Sequence, residues 1–225
     1  MILAIAATEI EMTPFAAELM APDFCRTLVT GVGPVETTLR LTRFLCECEQ
    51  QFDAVIHFGV GGAYILPDEN LLQQPVLLDI CLAEQEILGD FGVCLNDSVM
   101  YLDSSLTGEI LYPMDISLLE KSRAVLYRFG INHHAGTFIT VNGATGTAAR
   151  GKMLQARWNG ICENMEGAAV ARVCREFNLP CTELRCISNY VEERDLSTWR
   201  LQDACQKAAS TAAQLTKGII DVSRK

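Results

Sequence analysis

The sequence predicts an α/β protein built on a mainly parallel sheet covered on both faces. Strand-like apolar runs alternate with helix-like ones, two short polar clusters, 163–167 and 185–189, each sit at the end of an expected strand, and no Pro/Gly/Ser-rich linker divides the 225 residues. The strand-like runs are 2–7, 54–58, 76–83, 137–141 and 181–187. The first is apolar but short, has no basic leader and runs directly into Glu9 and Glu11, so it reads as a buried strand rather than a signal peptide. Pro34 follows Gly33 at a position that suits the first turn of a helix, and Leu41, Leu45 and Cys48 then recur at helical spacing, which predicts a helix over 34–49. From 166 to 177 small and apolar residues cover most faces and Pro180 follows, the pattern of a buried helix. Ala204, Ala208, Leu215 and Ile219 mark a closing helix.

Composition narrows the partners. A net charge of −10 with no Lys/Arg cluster longer than a pair argues against nucleic acid. No run of about eighteen uncharged apolar residues is long enough to span a membrane, and a soluble, cytoplasmic protein is expected. The ten cysteines are scattered without a C-x-x-C pair, which reads as reduced thiols rather than a disulfide framework. Only Cys46/Cys48 and His133/His134 approach metal-ligand spacing, and no metal site is expected.

Five clusters carry chemistry. Gly59-Val60-Gly61-Gly62 follows a strand, but Tyr64 stands where a dinucleotide fingerprint needs its third glycine, and no P-loop motif exists. What remains is a tight turn that lets backbone approach a small ligand, as Gly31-Val32-Gly33 also does, or turn geometry alone. Glu9 and Glu11 lie two residues apart past the first strand and share a face if extended geometry persists, so one is a candidate general base; the alternative is a solvated loop pair. Glu166 between apolar segments is costly unless partnered. Vicinal hydroxyls of a ribose suit one carboxylate, with Met165 packing the sugar, while a helix N-terminal carboxylate is the competing reading. Arg185 suits a buried carboxylate, and Asn189 offers a donor and an acceptor or serves the turn.

The clusters Ala7-Thr8-Glu9-Ile10-Glu11, Thr30-Gly31-Val32-Gly33, Gly59-Val60-Gly61-Gly62, Asn164-Met165-Glu166-Gly167-Ala168 and Arg185-Cys186-Ile187-Ser188-Asn189 together resemble the purine nucleoside phosphorylase and nucleosidase superfamily, and within it the methylthioadenosine/S-adenosylhomocysteine nucleosidases. The resemblance covers essentially the whole chain. It implies one three-layer α/β/α domain over 1–225 with a mixed central sheet, and a homodimer or higher homo-oligomer. It places the water-activating carboxylate on Glu11, the ribose-diol carboxylate on Glu166 beside Met165, a structural arginine on Arg185 and the base-reading side chain on Asn189. Substrate contacts are expected at Val60, Gly61 and Trp199, with no metal or organic cofactor.

Two departures shape the expected reaction. The adenine nucleosidases carry Asp where this chain has Asn189; a neutral amide can donate to the oxygen of a 6-oxopurine, which an ionised carboxylate repels, so hypoxanthine is favoured over adenine. Val60 replaces a serine common in the superfamily and cannot bond phosphate, which makes water the expected nucleophile. The run from Asn189 to Trp199, with Arg194-Asp195-Leu196-Ser197-Thr198, resembles the futalosine-hydrolysing branch, whose substrate bears an aryl carboxylate beyond the ribose 5′ position and belongs to an alternative menaquinone pathway. Trp199, Arg194 and Arg200 are the candidates for that group, with a surface or core role the alternative for each. The competing readings are a purine nucleoside phosphorylase, a methylthioadenosine/S-adenosylhomocysteine or aminofutalosine nucleosidase, and a non-catalytic nucleoside-binding protein.

Overall fold

The computed structural model describes residues 1–20, 23–67 and 73–223. Its organisation follows from the first strand, β1 (Ile2–Ala6), which is buried at every position. Successive side chains of a strand point to opposite faces. Ile2, Ala4 and Ala6 accordingly enter one core cluster, Leu3 and Ile5 the other. An uninterrupted apolar strand of this kind needs cover on both faces.

In chain order there follow α1 (Glu9–Leu19), β2 (Cys25–Val29), α2 (Pro34–Glu47), β3 (Ala54–Ala63), β4 (Ile80–Leu88), the small β5 (Gly92–Cys94) and β6 (Val99–Tyr101), α3 (Ser104–Thr107), β7 (Leu111–Pro113) and α4 (Ile116–Arg128). The remainder comprises β8 (His133–Thr140), α5 (Ala148–Trp158), β9 (Gly160–Asn164), α6 (Gly167–Glu176), β10 (Cys181–Tyr190) and α7 (Leu201–Ser223). Residues of α1, α4 and α7 cover one face, with Phe15 stacked on Phe58 at 4.7 Å, and residues of α2 and α6 cover the other. The three-layer expectation holds.

The sheet runs β10–β4–β8–β9–β3–β1–β2, with β7 on β4. It is mixed, since β9 runs antiparallel to β3 and β10 antiparallel to β4. A further parallel pairing of β10 with β3 closes β3, β9, β8, β4 and β10 into a ring. The short β9 crosses only the last two residues of β3, pairing Cys162 with Ala63 and Glu163 with Gly62. Its carboxyl end therefore arrives beside the glycine-rich end of β3, although the two strands run in opposite directions.

Element boundaries differ from the sequence expectation where polar residues are buried. β4 starts at Ile80 and continues through Glu84-Gln85-Glu86 to Leu88, beyond the expected stop at 83, because Glu86 is fully buried among hydrogen-bond partners. β8 begins four residues before the expected 137, and β10 extends three residues past 187. The edge strand β2 is mixed in polarity and half exposed, so it carries no apolar run. All ten cysteines are free thiols, six of them buried. Among the described residues no helix is long and apolar enough to cross a membrane.

Candidate active site

Glu11 owes its position to a helix that begins earlier than expected. Extended geometry stops at Thr8, and α1 opens at Glu9, so Glu9 and Glu11 do not share a face: Glu9 is exposed and Glu11 is 4% exposed. The backbone N–H and the hydroxyl of Thr8 both donate to Glu11 Oε2, at 3.0 and 2.7 Å. Such a carboxylate in the first turn of a helix satisfies an otherwise orphan donor. Oε1 receives the Val60 N–H from β3 at 3.1 Å.

That approach requires Gly59. A Cβ there would lie 2.5 Å from Glu11 Oε1 and 2.7 Å from Arg185 Nη1, inside van der Waals contact with both. The expected turn after 58 is instead a continuation of β3 to Ala63, because β10 and β9 pair with the glycines, and the missing side chains serve close approach of that strand to side chains. Tyr64, at the position that breaks the dinucleotide pattern, is fully buried and donates its hydroxyl to Glu163 Oε2 at 2.8 Å.

Glu166 precedes α6 but makes no cap hydrogen bond with its side chain. Asn164 takes that role instead, its Oδ1 accepting the N–H groups of Glu166 and Gly167 at 2.9 and 2.7 Å. The Glu166 carboxylate is free to turn inward, where Oε1 accepts the Gly33 N–H at 3.0 Å and Oε2 lies 3.5 Å from Arg185 Nη1. Met165 is half-buried beside it and packs with Tyr64, Ile139 and Val191.

Arg185 is 1% exposed in β10. Its Nε donates to Glu183 Oε1 at 2.8 Å, Nη1 donates to the Val60 carbonyl at 3.3 Å, and Nη2 lies 3.0 Å from His57 Nε2. Burial alone would favour the neutral guanidine, but Glu183, Glu166 and Glu11 outweigh it and raise the pKa above the usual arginine value. In turn, burial would raise the Glu183 carboxyl, yet His57 and Arg185 hold it at about 2. A cation is thereby fixed between the two carboxylates of the site.

Past Arg185 the register of β10 on β3 slips: Ile187 faces Gly61 and Asn189 faces Gly62, leaving Ser188 as the extra residue of a bulge. Bulges re-aim side chains. The Ser188 hydroxyl donates to Asn189 Oδ1 at 2.8 Å, and Asn189 Nδ2 donates to the Tyr190 carbonyl at 3.0 Å, leaving one amide hydrogen and one lone pair available.

Glu11, Val60, Gly61, Met165, Glu166, Arg185, Asn189 and Trp199 all line one cavity of about 240 Å3. These expected site residues are therefore brought together, and of the three candidates for the distal group only Arg200 is left out. Arg194 joins them, its guanidinium 4.8 Å over the Trp199 ring. Arg200 does not line the cavity; its side chain pairs with Asp203 and its N–H bonds the Ser188 carbonyl. Four roomier clefts, of about 440, 480, 660 and 700 Å3, are lined by no buried carboxylate among the described residues.

The sequence reading missed Thr8, Gly33, Thr145 and Glu163 as individual participants. Glu163 accepts the Thr145 N–H and hydroxyl at 2.8 and 2.6 Å as well as the Tyr64 hydroxyl. Burial raises its pKa against the pull of those bonds. Its signal in the sequence was an acidic residue at the end of an apolar strand, the same signal that marked Glu166.

Comparison with known proteins agrees with this geometry. Residues 26–221 match the phosphorylase superfamily. A futalosine hydrolase of Thermus thermophilus is 28% identical over 193 residues, covering 84% of this chain and 79% of that protein. An aminodeoxyfutalosine nucleosidase of Helicobacter pylori is 33% identical over 191 residues, covering 84% and 77%. The solved structure of a futalosine hydrolase mutant of Helicobacter pylori superposes with a TM-score of 0.81 at 21% identity, covering 96% of this chain and 98% of that one. A mixed sheet with helices on both faces, the family match over most of the chain and the relatives at both sequence and structure level converge: this chain belongs to the phosphorylase superfamily.

Proposed function

We propose that the chain is an intracellular nucleosidase that hydrolyses the N-ribosidic bond of futalosine and releases hypoxanthine. The observation that supports this most directly is the pair of buried carboxylates, Glu11 and Glu166, on one cavity with Arg185 between them. Breaking the bond makes C1′ electron-deficient and leaves negative charge on the departing purine, and a catalyst works by stabilising both.

In the proposed reaction Glu166 accepts hydrogen bonds from the ribose 2′ and 3′ hydroxyls through the lone pairs left by Gly33 and Arg185, and its charge favours the cationic sugar. Glu11, pinned by three donors, keeps a lone pair on Oε1 for the proton of the attacking water. Asn189 gives its remaining amide hydrogen to the 6-oxygen or N7 of the base. Met165, Val60 and Gly61 pack the nucleoside, and Trp199 with Arg194 receives the aryl carboxylate. No step requires a metal or cofactor.

A 6-amino substrate is the second reading, because the relative at 33% identity is an aminodeoxyfutalosine nucleosidase. One assay separates the possibilities: futalosine, aminodeoxyfutalosine, inosine and methylthioadenosine in phosphate-free buffer, with the free base identified. Hypoxanthine from futalosine is expected. Release only when phosphate is added makes the protein a phosphorylase, and adenine as the preferred product moves the substrate to the amino series.

A homo-oligomer is part of the same proposal. Ile10 and Val32 at the cavity mouth are 64% and 55% exposed, and Val35 and Leu39 continue the apolar strip along α2. Sedimentation analysis tests it, with a mass above 24.7 kDa expected.

A further inference from the structure

Two buried carboxylates that the proposed chemistry does not touch lie beneath Glu166. Glu86, in β4, is fully buried; its Oε1 accepts from Asn164 Nδ2 at 2.5 Å and its Oε2 from the Thr140 hydroxyl at 2.8 Å. Asn164 is the residue whose Oδ1 holds the N–H groups of Glu166 and Gly167. Glu86 therefore holds the amide that holds the backbone of Glu166. Glu183, in β10, gives Oε1 to Arg185, the cation beside Glu166, while its Oε2 is buried with no hydrogen-bond partner among the described residues.

The two carboxylates meet at Gly167. A Cβ on that residue would collide with both Glu86 Oε1 and Glu183 Oε2, so the two oxygens are neighbours in the space a side chain would fill. Two ionised carboxylates cannot share a buried site without steep repulsion. A proton on one supplies the donor that the orphaned oxygen of the other lacks.

We propose that Glu86 and Glu183 share one proton, carried on Glu86 Oε1 and directed at Glu183 Oε2, and that this acid pair is a positioning device that sets Glu166 through Asn164 and Arg185. The groups facing Glu86 are Glu183 and Arg185 from β10, Thr140 from β8, and Asn164 and Cys162 from β9; behind them His57 of β3 pairs with Glu183 and Arg185, and Glu166 at the start of α6 pairs with Arg185. Burial and then the charge of Glu183 raise the Glu86 pKa well above its usual value, against the opposing bonds of Thr140 and Asn164 and the field of Arg185. The neutral acid leaves Glu183 as the single anion paired with Arg185 on that side. Ionisation of Glu86 would add a second negative charge, repel Glu183 and disturb the contacts that aim Glu166.

The positioning role rests on the assignment of Glu166 to the ribose diol; the shared proton does not. Carbon-detected NMR of the full chain carrying labelled glutamate carboxyls, with no substrate, tests the proton. One carboxyl is expected in its neutral form at pH 7, lost in Glu86→Gln and ionised in Glu183→Gln. Uniformly ionised glutamates, or a neutral signal that survives in Glu86→Gln, overturns the shared proton. Kinetics test the positioning: Glu86→Gln should lower kcat/KM on the ribonucleoside on the order of 10- to 100-fold, but by less than about 3-fold on the 2′-deoxy counterpart, where the grip on the diol is already lost. The alkaline fall of the pH profile should also disappear in that variant. Equal losses on both substrates, or an unchanged alkaline limb, overturn the positioning role. If the wild-type chain releases base from neither nucleoside, the nucleosidase reading has failed, and the NMR result alone decides the proton.

Discussion

The floor and the rim of the cavity are held in different ways. On the floor, Arg185, Glu166, Glu11 and Glu183 are all under 5% exposed, and backbone groups of three separate segments donate to their carboxylates or accept from the guanidinium. At the rim, Arg194 is exposed, Trp199 half-buried, and a stacked guanidinium at 4.8 Å ties them together. Strand pairing and helix starts thus fix the buried charges of the floor, while the rim is built from residues on a loop, which can vary without disturbing the sheet.

Removing the chemistry of the floor is expected to give the largest effect. Glu11→Gln keeps the shape and the acceptor for Val60 but cannot take a proton, so kcat should fall about 10²- to 10⁴-fold with little change in KM; near-normal turnover would remove the general-base role. Arg185→Met should leave Glu183 and Glu166 buried without their cation, and urea unfolding should report a loss of about 3–5 kcal/mol. A wild-type midpoint would mean the ion pairs contribute nothing net.

Stability against pH sharpens the same contrast. The ordinary value for both Glu86 and Glu183 is 4.5, and the folded state holds Glu183 at about 2 and raises Glu86. Between about 2 and 4.5 the unfolded chain binds the extra proton, so the pair contributes stability that grows with pH. Above 4.5 the folded chain keeps a proton on Glu86 that the unfolded chain has lost, and the contribution declines. Each limb has a slope of about 1.4 kcal/mol per pH unit per proton. Subtracting the Glu86→Gln curve should reveal the alkaline limb, and subtracting Glu183→Gln the acid limb together with the part of the alkaline limb that Glu183 imposes on Glu86; parallel curves would show that neither group is shifted.

Closer to the rim the effects shrink. Asn189→Asp places a carboxylate oxygen against the Tyr190 carbonyl, which favours its protonated form. The ratio of kcat/KM should move towards 6-aminopurine nucleosides roughly 10-fold, the size expected when an unmatched buried polar contact is relieved. Identical base selectivity would show that Asn189 does not read the base. Trp199→Ala and Arg194→Ala should raise KM for a substrate with a 5′ aryl carboxylate only about 2- to 5-fold and leave kcat intact, while leaving short nucleosides unaffected. A fall in kcat on both substrate types would instead place these residues in the support of the floor.

Much of the floor was legible because buried charge is anomalous in a sequence. Glu166 stands between two apolar segments and Arg185 within an apolar strand, and neither position tolerates a charge without a partner. The convergence of the strand ends carrying them was also legible, though the reason differs from a simple parallel arrangement, since β9 reaches the site by crossing β3 in the opposite sense. The same anomaly misled the reading of β4: Glu84-Gln85-Glu86 looked like a strand end because the partners that neutralise Glu86, Thr140 and Asn164, lie 54 and 78 residues away. Glu9 and Glu11 were misread together, since the turn at Thr8 that separates them depends on a hydrogen bond from Thr8 back to Glu11 that competes closely with an extended continuation.

By itself the sequence determined the α/β class, the burial of β1 on both faces and the residue types that the cavity would need, because period and polarity are local properties that each segment carries alone. Only the tertiary structure decided that the sheet closes through β10 and β3, that a bulge at Ser188 aims Asn189, and that Glu86 and Glu183 meet at Gly167. Those outcomes are set by strand register and by distances between segments far apart in the chain, and neither quantity is encoded by any one segment of the sequence.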